Sequence, residues 1–304
     1  MNDRPMRIML TGSGGQVGWE LNRVLLPYGI VGGYGASGLD LLDGPATREA
    51  VRRFRPDVII NAAAYTAVDK AETERIVCRG LNAVAPGILA EEAERLGAWL
   101  IHYSTDYVYG GKNDRPWLED DEPNPVNYYG ESKLEGDIAV SERASKHLVF
   151  RTSWVYSSRR SNFLLTMLRL FASSEGGRKK AVRVVDDQIG APTWARFIAQ
   201  ATAIAVKSAI ETADAGISGV YHLASGGFVS WCGFAREILE YSRARMGLGD
   251  VELIPISSKD YASGAARPAW SVLSTEKTRG TFGVHAIHWQ EAARLCIDEI
   301  MERR

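Results

Sequence analysis

The chain has 304 residues, 45% apolar and 24% charged, a globular composition that excludes a disordered, collagen-like or coiled-coil protein. Lys and Arg number 36 against 37 Asp and Glu, a net charge of −1. No broad basic field is present to neutralise phosphates, so nucleic acid is not an expected partner.

Residues 6–11 form a short apolar run that ends in glycines and predict a first strand. A helical pattern follows, with Val17, Leu21, Val24 and Leu25 on one face. Residues 30–34 predict a second strand, and 46–54 a helix stopped by Pro56. Residues 57–60 are nearly all apolar, as a parallel strand buried on both faces must be. A helix over 83–96, a strand over 99–103, a helix over 129–142 and a strand over 147–151 complete the alternation. Beyond about residue 155 the order loosens. Helices are expected at 162–172, 194–209 and 231–245, a polar loop at 173–180 and a strand at 219–223. The fold class is α/β: a doubly wound parallel sheet with a smaller α/β lobe at the C-terminal end.

Cys78, Cys232 and Cys296 are too few and too scattered for a disulfide framework and form no metal-binding spacing. They read as small core residues in a reducing compartment. Met1 to Pro5 is polar and lacks a secretory hydrophobic region. No run approaches the roughly 18 apolar residues that span a bilayer. The expectation is a cytoplasmic chain with no membrane partner.

The turn Thr11-Gly12-Ser13-Gly14-Gly15-Gln16-Val17-Gly18 lies at the first strand-to-helix junction. Glycines there permit a sharp turn, a close approach of backbone to a pyrophosphate, and tight packing of helix on strand. The helix N-terminus then offers unpaired N–H groups to the anion. This makes residues 1–155, with 193–218, a dinucleotide-binding Rossmann-type unit, and most of 156–304 the substrate lobe. Selection of the adenosine ribose usually rests on an acid at the end of the second strand. That end reads Gly33-Tyr34-Gly35-Ala36, and Asp40 and Asp43 come later. No acid repels a 2′-phosphate and no arginine there welcomes one, which tilts the cofactor toward NADPH with NADH also usable.

Tyr129 and Lys133 stand at i and i+4, on one face of a predicted helix. A carbonyl that accepts hydride needs a proton on its oxygen. A free phenol, with a pKa near 10, is a poor proton donor at neutral pH, and a nearby ammonium should lower that value. Tyr128 has only Ser132 at i+4, which favours Tyr129. Ser104-Thr105-Asp106 follows the fourth strand, where open α/β sheets bind ligands. A Thr105 hydroxyl there can reach both a substrate oxygen and the phenol; a plain turn or helix cap is the competing reading.

Taken together, these motifs resemble the extended short-chain dehydrogenase/reductases. Within them the chain is similar to the dTDP-4-dehydrorhamnose reductase family. Asn61-Ala62-Ala63-Ala64-Tyr65-Thr66-Ala67-Val68-Asp69, Arg151-Thr152-Ser153-Trp154-Val155-Tyr156, Asp187-Gln188-Ile189-Gly190-Ala191-Pro192-Thr193 and Arg267-Pro268 extend the match from residue 6 to about 275. The resemblance implies reduction of the C4 ketone of dTDP-4-dehydro-β-L-rhamnose to dTDP-L-rhamnose. It makes Tyr129 the proton donor, Lys133 the holder of the nicotinamide ribose, and Thr105 the group that polarises the ketone. Gly12, Gly15, Gln16, Val17 and Gly18 would lie at the pyrophosphate, and Asp40 and Leu41 at the adenine. Ala63, Ala64, Tyr65, Thr66 and Tyr103 would line the rest of the cofactor. Asp106, Trp154 and Val68 would meet the sugar, an indole face suiting C–H groups, with a core tryptophan the competing reading for Trp154. Arg267 suits the nucleotide diphosphate, against a surface ion pair. The resemblance also implies a homodimer and allows a magnesium ion near glutamates at the dimer contact, with no residues assigned to it. Two other readings stay open: an epimerase or dehydratase of nucleotide sugars that retains its NAD, and a non-catalytic NADP-binding regulatory subunit. The regulatory subunit of methionine adenosyltransferase resembles the same fold.

Overall fold

The computed structural model describes residues 4–172, 180–212, 215–248, 250–261 and 263–303. In its first part β1 (Met6–Thr11), α1 (Gln16–Val24), β2 (Gly29–Tyr34), α2 (Gly44–Phe54) and β3 (Val58–Asn61) alternate as expected. Then come α3 (Val68–Ala71), α4 (Arg75–Arg79) and a π-helical turn at Gly80–Val84 that runs into α5 (Ala85–Leu96). The helix expected over 83–96 is thus the second half of a longer rod. β4 (Trp99–Thr105), α6 (Tyr128–Arg143) and β5 (His147–Thr152) follow. Asn127 caps α6 by accepting from the Gly130 N–H at 2.8 Å, and Asp43 caps α2 by accepting from Ala46 at 2.9 Å, which fixes where both helices start.

The chain continues through β6 (Val155–Tyr156), α7 (Phe163–Ala172), β7 (Lys180–Val185), β8 (Ile189–Gly190), β9 (Thr193–Trp194) and α8 (Ala195–Thr212). It ends with β10 (Gly219–His222), β11 (Val229–Ser230), α9 (Trp231–Met246), β12 (Val251–Ile256), α10 (Glu276–Phe282) and α11 (Trp289–Met301). Of the polar loop expected at 173–180, residues 173–179 lie outside the described residues, and Lys180 opens β7.

Six strands form one parallel sheet in the order β10-β5-β4-β3-β1-β2. The sixth, β10, comes just after the 193–218 segment expected to return to this unit. Strict alternation divides the side chains between two cores. Ile8, Leu10, Ile60, Ile101 and Phe150 pack with Leu21 of α1 and Ile198 of α8. Met9, Ile59, Leu100 and Val149 pack with Val51 of α2, Leu89 of α5 and Val140 of α6. β3, β4 and β5 are buried along their whole length. Helices cover both faces, and that is why the middles of these strands read as mostly apolar runs. The order reverses at β1, with β2 on one side and β3 on the other, so a crevice opens at their carboxyl ends. In the other part, β7 and β12 pair in parallel, and α9 packs against them and α7.

Candidate active site

The glycine turn closes the crevice from below. Gly12 has φ +69, and a Cβ on it would lie 2.5 Å from the backbone of Ala62 and Ala63. A Cβ on Gly18 would lie 2.1 Å from the Gly12 carbonyl oxygen. The turn, the loop after β3 and α1 therefore touch backbone to backbone. α1 starts at Gln16 with no side-chain cap on Gly15, so its first N–H groups face the crevice as an anion site. The crevice holds about 450 Å³ and is lined by Gly12, Gly15, Asp40, Leu41, Ala63 and Ala64, all expected there. The small, tight walls fit a dinucleotide cofactor.

The remaining expected cofactor residues serve other contacts. Gln16 accepts from Ser157 at 2.8 Å and from Asn162 at 2.9 Å, tying α1 to the loop after β6. Val17 packs on the core, and Gly18 is buried beneath the turn. The Tyr65 hydroxyl donates to Glu74 at 2.6 Å, while Thr66 is exposed. Tyr103 turns its side chain into the core, its hydroxyl 2.6 Å from that of Thr202.

Thr105 ends β4, and Tyr129 and Lys133 stand on the first turns of α6. Thr105 lies close enough to the Tyr129 phenol to oppose the rise in its pKa. Thr105 in turn donates to Asp106 at 3.1 Å and accepts from the Tyr107 N–H at 3.2 Å. Lys133 is 1% exposed. Its Nζ lies 2.5 Å from the Tyr103 carbonyl oxygen and 3.2 Å from His102 Nε2. The other ring nitrogen of His102 is 3.1 Å from Asn61, which meets Thr11 at 2.7 Å. Burial, aided by Lys133, holds His102 well below the usual imidazole range, so the ring is neutral. Burial also pulls Lys133 down to about 8.

One expectation is corrected here. The Tyr129 pKa is not lowered in this chain: burial pushes the phenol above its ordinary value, with Thr105 opposing the rise. The Lys133 ammonium donates to the Tyr103 carbonyl on β4.

Asp106 is 2% exposed and accepts from Ser153 at 3.1 Å; burial lifts it to about 6 against hydrogen bonds from Ser271, Thr105 and Ser153. Trp154 has φ +44 and stacks on Trp231 with centroids 3.5 Å apart and planes 5° apart. One indole face is thereby covered by the second lobe. Arg267 pairs with Asp69 at 2.9 Å, one residue past Val68, and hydrogen-bonds Tyr107. It also lines a second cleft of about 490 Å³ with Phe163, Gln188, Trp231 and Tyr261. The Arg267 side chain thus forms the ion pair and also borders a cleft. Tyr107 touches Tyr129 edge to face at 5.6 Å, so it links Arg267 to the phenol.

Sequence reasoning missed His102, Asn82, Trp231 and Arg160. Asn82, fully buried, holds the loop after β3 by accepting from the Tyr65 N–H at 2.9 Å and donating to the Tyr65 carbonyl at 3.1 Å. The signal for Asn82 and His102 was a polar residue inside an apolar element. For magnesium, no group of three His, Cys, Asp or Glu side chains comes together among the described residues. The glutamates Glu20 and Glu299 share Arg196, at 3.2 and 3.0 Å. Among the described residues no helix is long and apolar enough to cross a membrane.

Residues 6–302 match the family model described as the RmlD substrate binding domain. The chain is 43% identical to a dTDP-4-dehydrorhamnose reductase of Burkholderia thailandensis, over 98% of this chain and all of that protein. It is 41% identical to the Escherichia coli K12 enzyme of the same name, over 97% and 98% of the two chains. A crystal structure of the Bacillus anthracis reductase in complex with NADP superposes with a TM-score of 0.87 at 31% identity, covering 97% of this chain and 99% of that one. A Thermus thermophilus UDP-glucose 4-epimerase complexed with NAD shares the fold, with a TM-score of 0.78 at 20% identity over 98% and 99% of the two chains. By sequence over its whole length, the chain belongs to the dTDP-4-dehydrorhamnose reductase family, a family of NAD(P)H oxidoreductases.

Proposed function

We propose that this chain reduces the C4 ketone of dTDP-4-dehydro-β-L-rhamnose to dTDP-L-rhamnose. The observation that carries the reading is the gathering of Thr105 at the end of β4 with Tyr129 and the buried Lys133 on the first turns of α6, at the carboxyl end of the sheet whose glycine turn lines the crevice. Bound in that crevice, NAD(P)H supplies the hydride that reaches C4. Tyr129 gives its phenolic proton to the ketone oxygen, so the carbonyl becomes a hydroxyl. The raised pKa keeps the phenol protonated at neutral pH, the state a proton donor must be in. Thr105 is assigned to polarise the ketone. Its single O–H, donated to Asp106 in the structure, turns to the ketone oxygen when the sugar binds. Lys133 is assigned the nicotinamide ribose. Asp106, Trp154 and Val68 are assigned to the sugar, and Arg267 to the diphosphate. The reading includes a cytoplasmic homodimer with the dTDP-sugar as its small-molecule partner. It gives no step to magnesium.

The test is Tyr129→Phe. With dTDP-4-dehydrorhamnose and NADPH, turnover followed by nicotinamide absorbance should fall by roughly two to four orders of magnitude, while NADPH binding is unchanged. Unaltered turnover would remove Tyr129 from the mechanism. Tightly bound NAD in the purified wild-type protein would favour the epimerase reading instead.

A further inference from the structure

β2 ends without an acid or an arginine, so the expected reader of the adenosine ribose is missing. A cation arrives from elsewhere. Arg160 stands in the loop between β6 and α7, yet it lines the cofactor crevice together with Gly14, Tyr34 and Gly35. Its Nε donates to the Gly14 carbonyl at 2.8 Å, and its Nη2 would lie 3.1 Å from a Cβ on Gly14. Glycine at position 14 is what lets the guanidinium come so close to the turn.

The placement is built rather than incidental. Arg160 has φ +61, a conformation that long side chains seldom adopt. The loop is held in it from both sides. Asn162 donates to the carbonyls of Ser157 and Arg159, at 2.9 and 3.1 Å, and to Gln16 of α1 at 2.9 Å. The neighbouring Arg159 lies 3.7 Å over the ring of Trp19, also on α1. Among the described residues Arg160 pairs with no carboxylate. The acid that shares its crevice, Asp40, accepts instead from the Leu42 N–H at 2.9 Å. The guanidinium therefore keeps charge and donors for an anion at the ribose end of the crevice.

We propose that Arg160 reads the 2′-phosphate on the cofactor's adenosine ribose and so makes NADPH the preferred reductant. This rests on the reductase reading and settles the choice of cofactor that the sequence leaves open. A planar guanidinium gives paired, charge-assisted hydrogen bonds to phosphate, and removing such a contact is worth roughly tenfold to a hundredfold in affinity.

Equilibrium titration without substrate tests it, using 2′,5′-ADP, 5′-ADP, NADPH and NADH as probes on the wild-type chain and on Arg160→Ala, Arg160→Gly and Arg160→Lys. Glycine suits φ +61, so R160G separates loss of the side chain from disturbance of the loop. In R160A and R160G, 2′,5′-ADP and NADPH should weaken by roughly tenfold to a hundredfold, and 5′-ADP and NADH by less than about threefold. R160K should recover part of the loss, and the wild-type preference for NADPH should shrink with added salt. Equal weakening of all four probes would place the guanidinium at the pyrophosphate and overturn the proposal, as would no weakening at all. A wild-type chain that binds neither dinucleotide would sink the reductase reading itself.

Discussion

Lys133 should make the protein less stable than it would be without it. The ammonium is fully buried, and burial lowers its pKa from 10.5 to about 8. That drop corresponds to roughly 3 kcal/mol of preference for the neutral amine. Lys133→Met removes the charge and keeps most of the volume. It also removes the donor to the Tyr103 carbonyl, a cost of about 1–2 kcal/mol. The net expectation at pH 7 is a gain of about 1–2 kcal/mol together with loss of ketone reduction. The sign with pH follows from proton binding. Between about pH 8 and 10.5 the unfolded chain holds a proton on this lysine that the folded chain has released, so wild-type stability rises with pH there. The penalty is complete below pH 8, and by pH 9.5 roughly 2 kcal/mol of it is gone. Urea unfolding of both proteins at pH 7 and 9.5 measures this. K133M should lead at pH 7 and lose that lead at pH 9.5. A variant that is less stable at pH 7, or whose lead does not change with pH, would refute the reasoning.

Two further outcomes follow from the same site. Asp106 is lifted from 3.8 to about 6 by burial, so folding disfavours its charged form; that cost is absent below pH 3.8 and grows to roughly 3 kcal/mol above pH 6. Asp106→Asn should therefore gain thermal stability relative to wild type as pH rises from 4 to 7, while kcat falls because Thr105 loses a charged acceptor; a difference in Tm that is flat with pH would contradict this. Gly18→Ala places a methyl 2.1 Å from the Gly12 carbonyl oxygen, backbone against backbone, and should destabilise by at least about 1–3 kcal/mol with loss of NADPH binding, both measurable by denaturant unfolding and titration.

The parts of the fold that read plainly from sequence are those in which burial is complete. β3, β4 and β5 are covered on both faces, so their sequences are mostly apolar. The glycine turn was legible because a Cβ on Gly18 would lie 2.1 Å from the Gly12 carbonyl oxygen, which no other residue tolerates. The second lobe was harder. β12 buries little of its length, carries Pro255 within it and pairs only with β7, so neither periodicity nor propensity marks it as a strand. The rod from α4 to α5 was read from its second half because Gly80 and Asn82 interrupt the helical pattern at the π turn. In the site, the spacing of Tyr129 and Lys133 was visible, and the partner that engages the ammonium was not. His102 lies 31 positions away on another element, and Arg160 reaches the glycine turn across 146. Contacts of that kind exist only once the sheet and its loops have formed.

The spacing of Tyr129 and Lys133 acquires its meaning from β4. The pairs run in opposite directions: Thr105 with Tyr129, and the Tyr103 carbonyl with Lys133. Two residues of strand advance about 6.6 Å, and four residues of helix advance about 6.0 Å. The two elements therefore match in pitch at this one separation, and each side chain of α6 meets its own position on β4. A helix pair at i, i+3 would fall about 2 Å short of the strand spacing. The match keeps the ammonium at the Tyr103 carbonyl while Tyr129 stands toward the end of the strand. Of the ammonium's three N–H donors, one is held by the Tyr103 carbonyl, which leaves a donor for the proposed ribose contact.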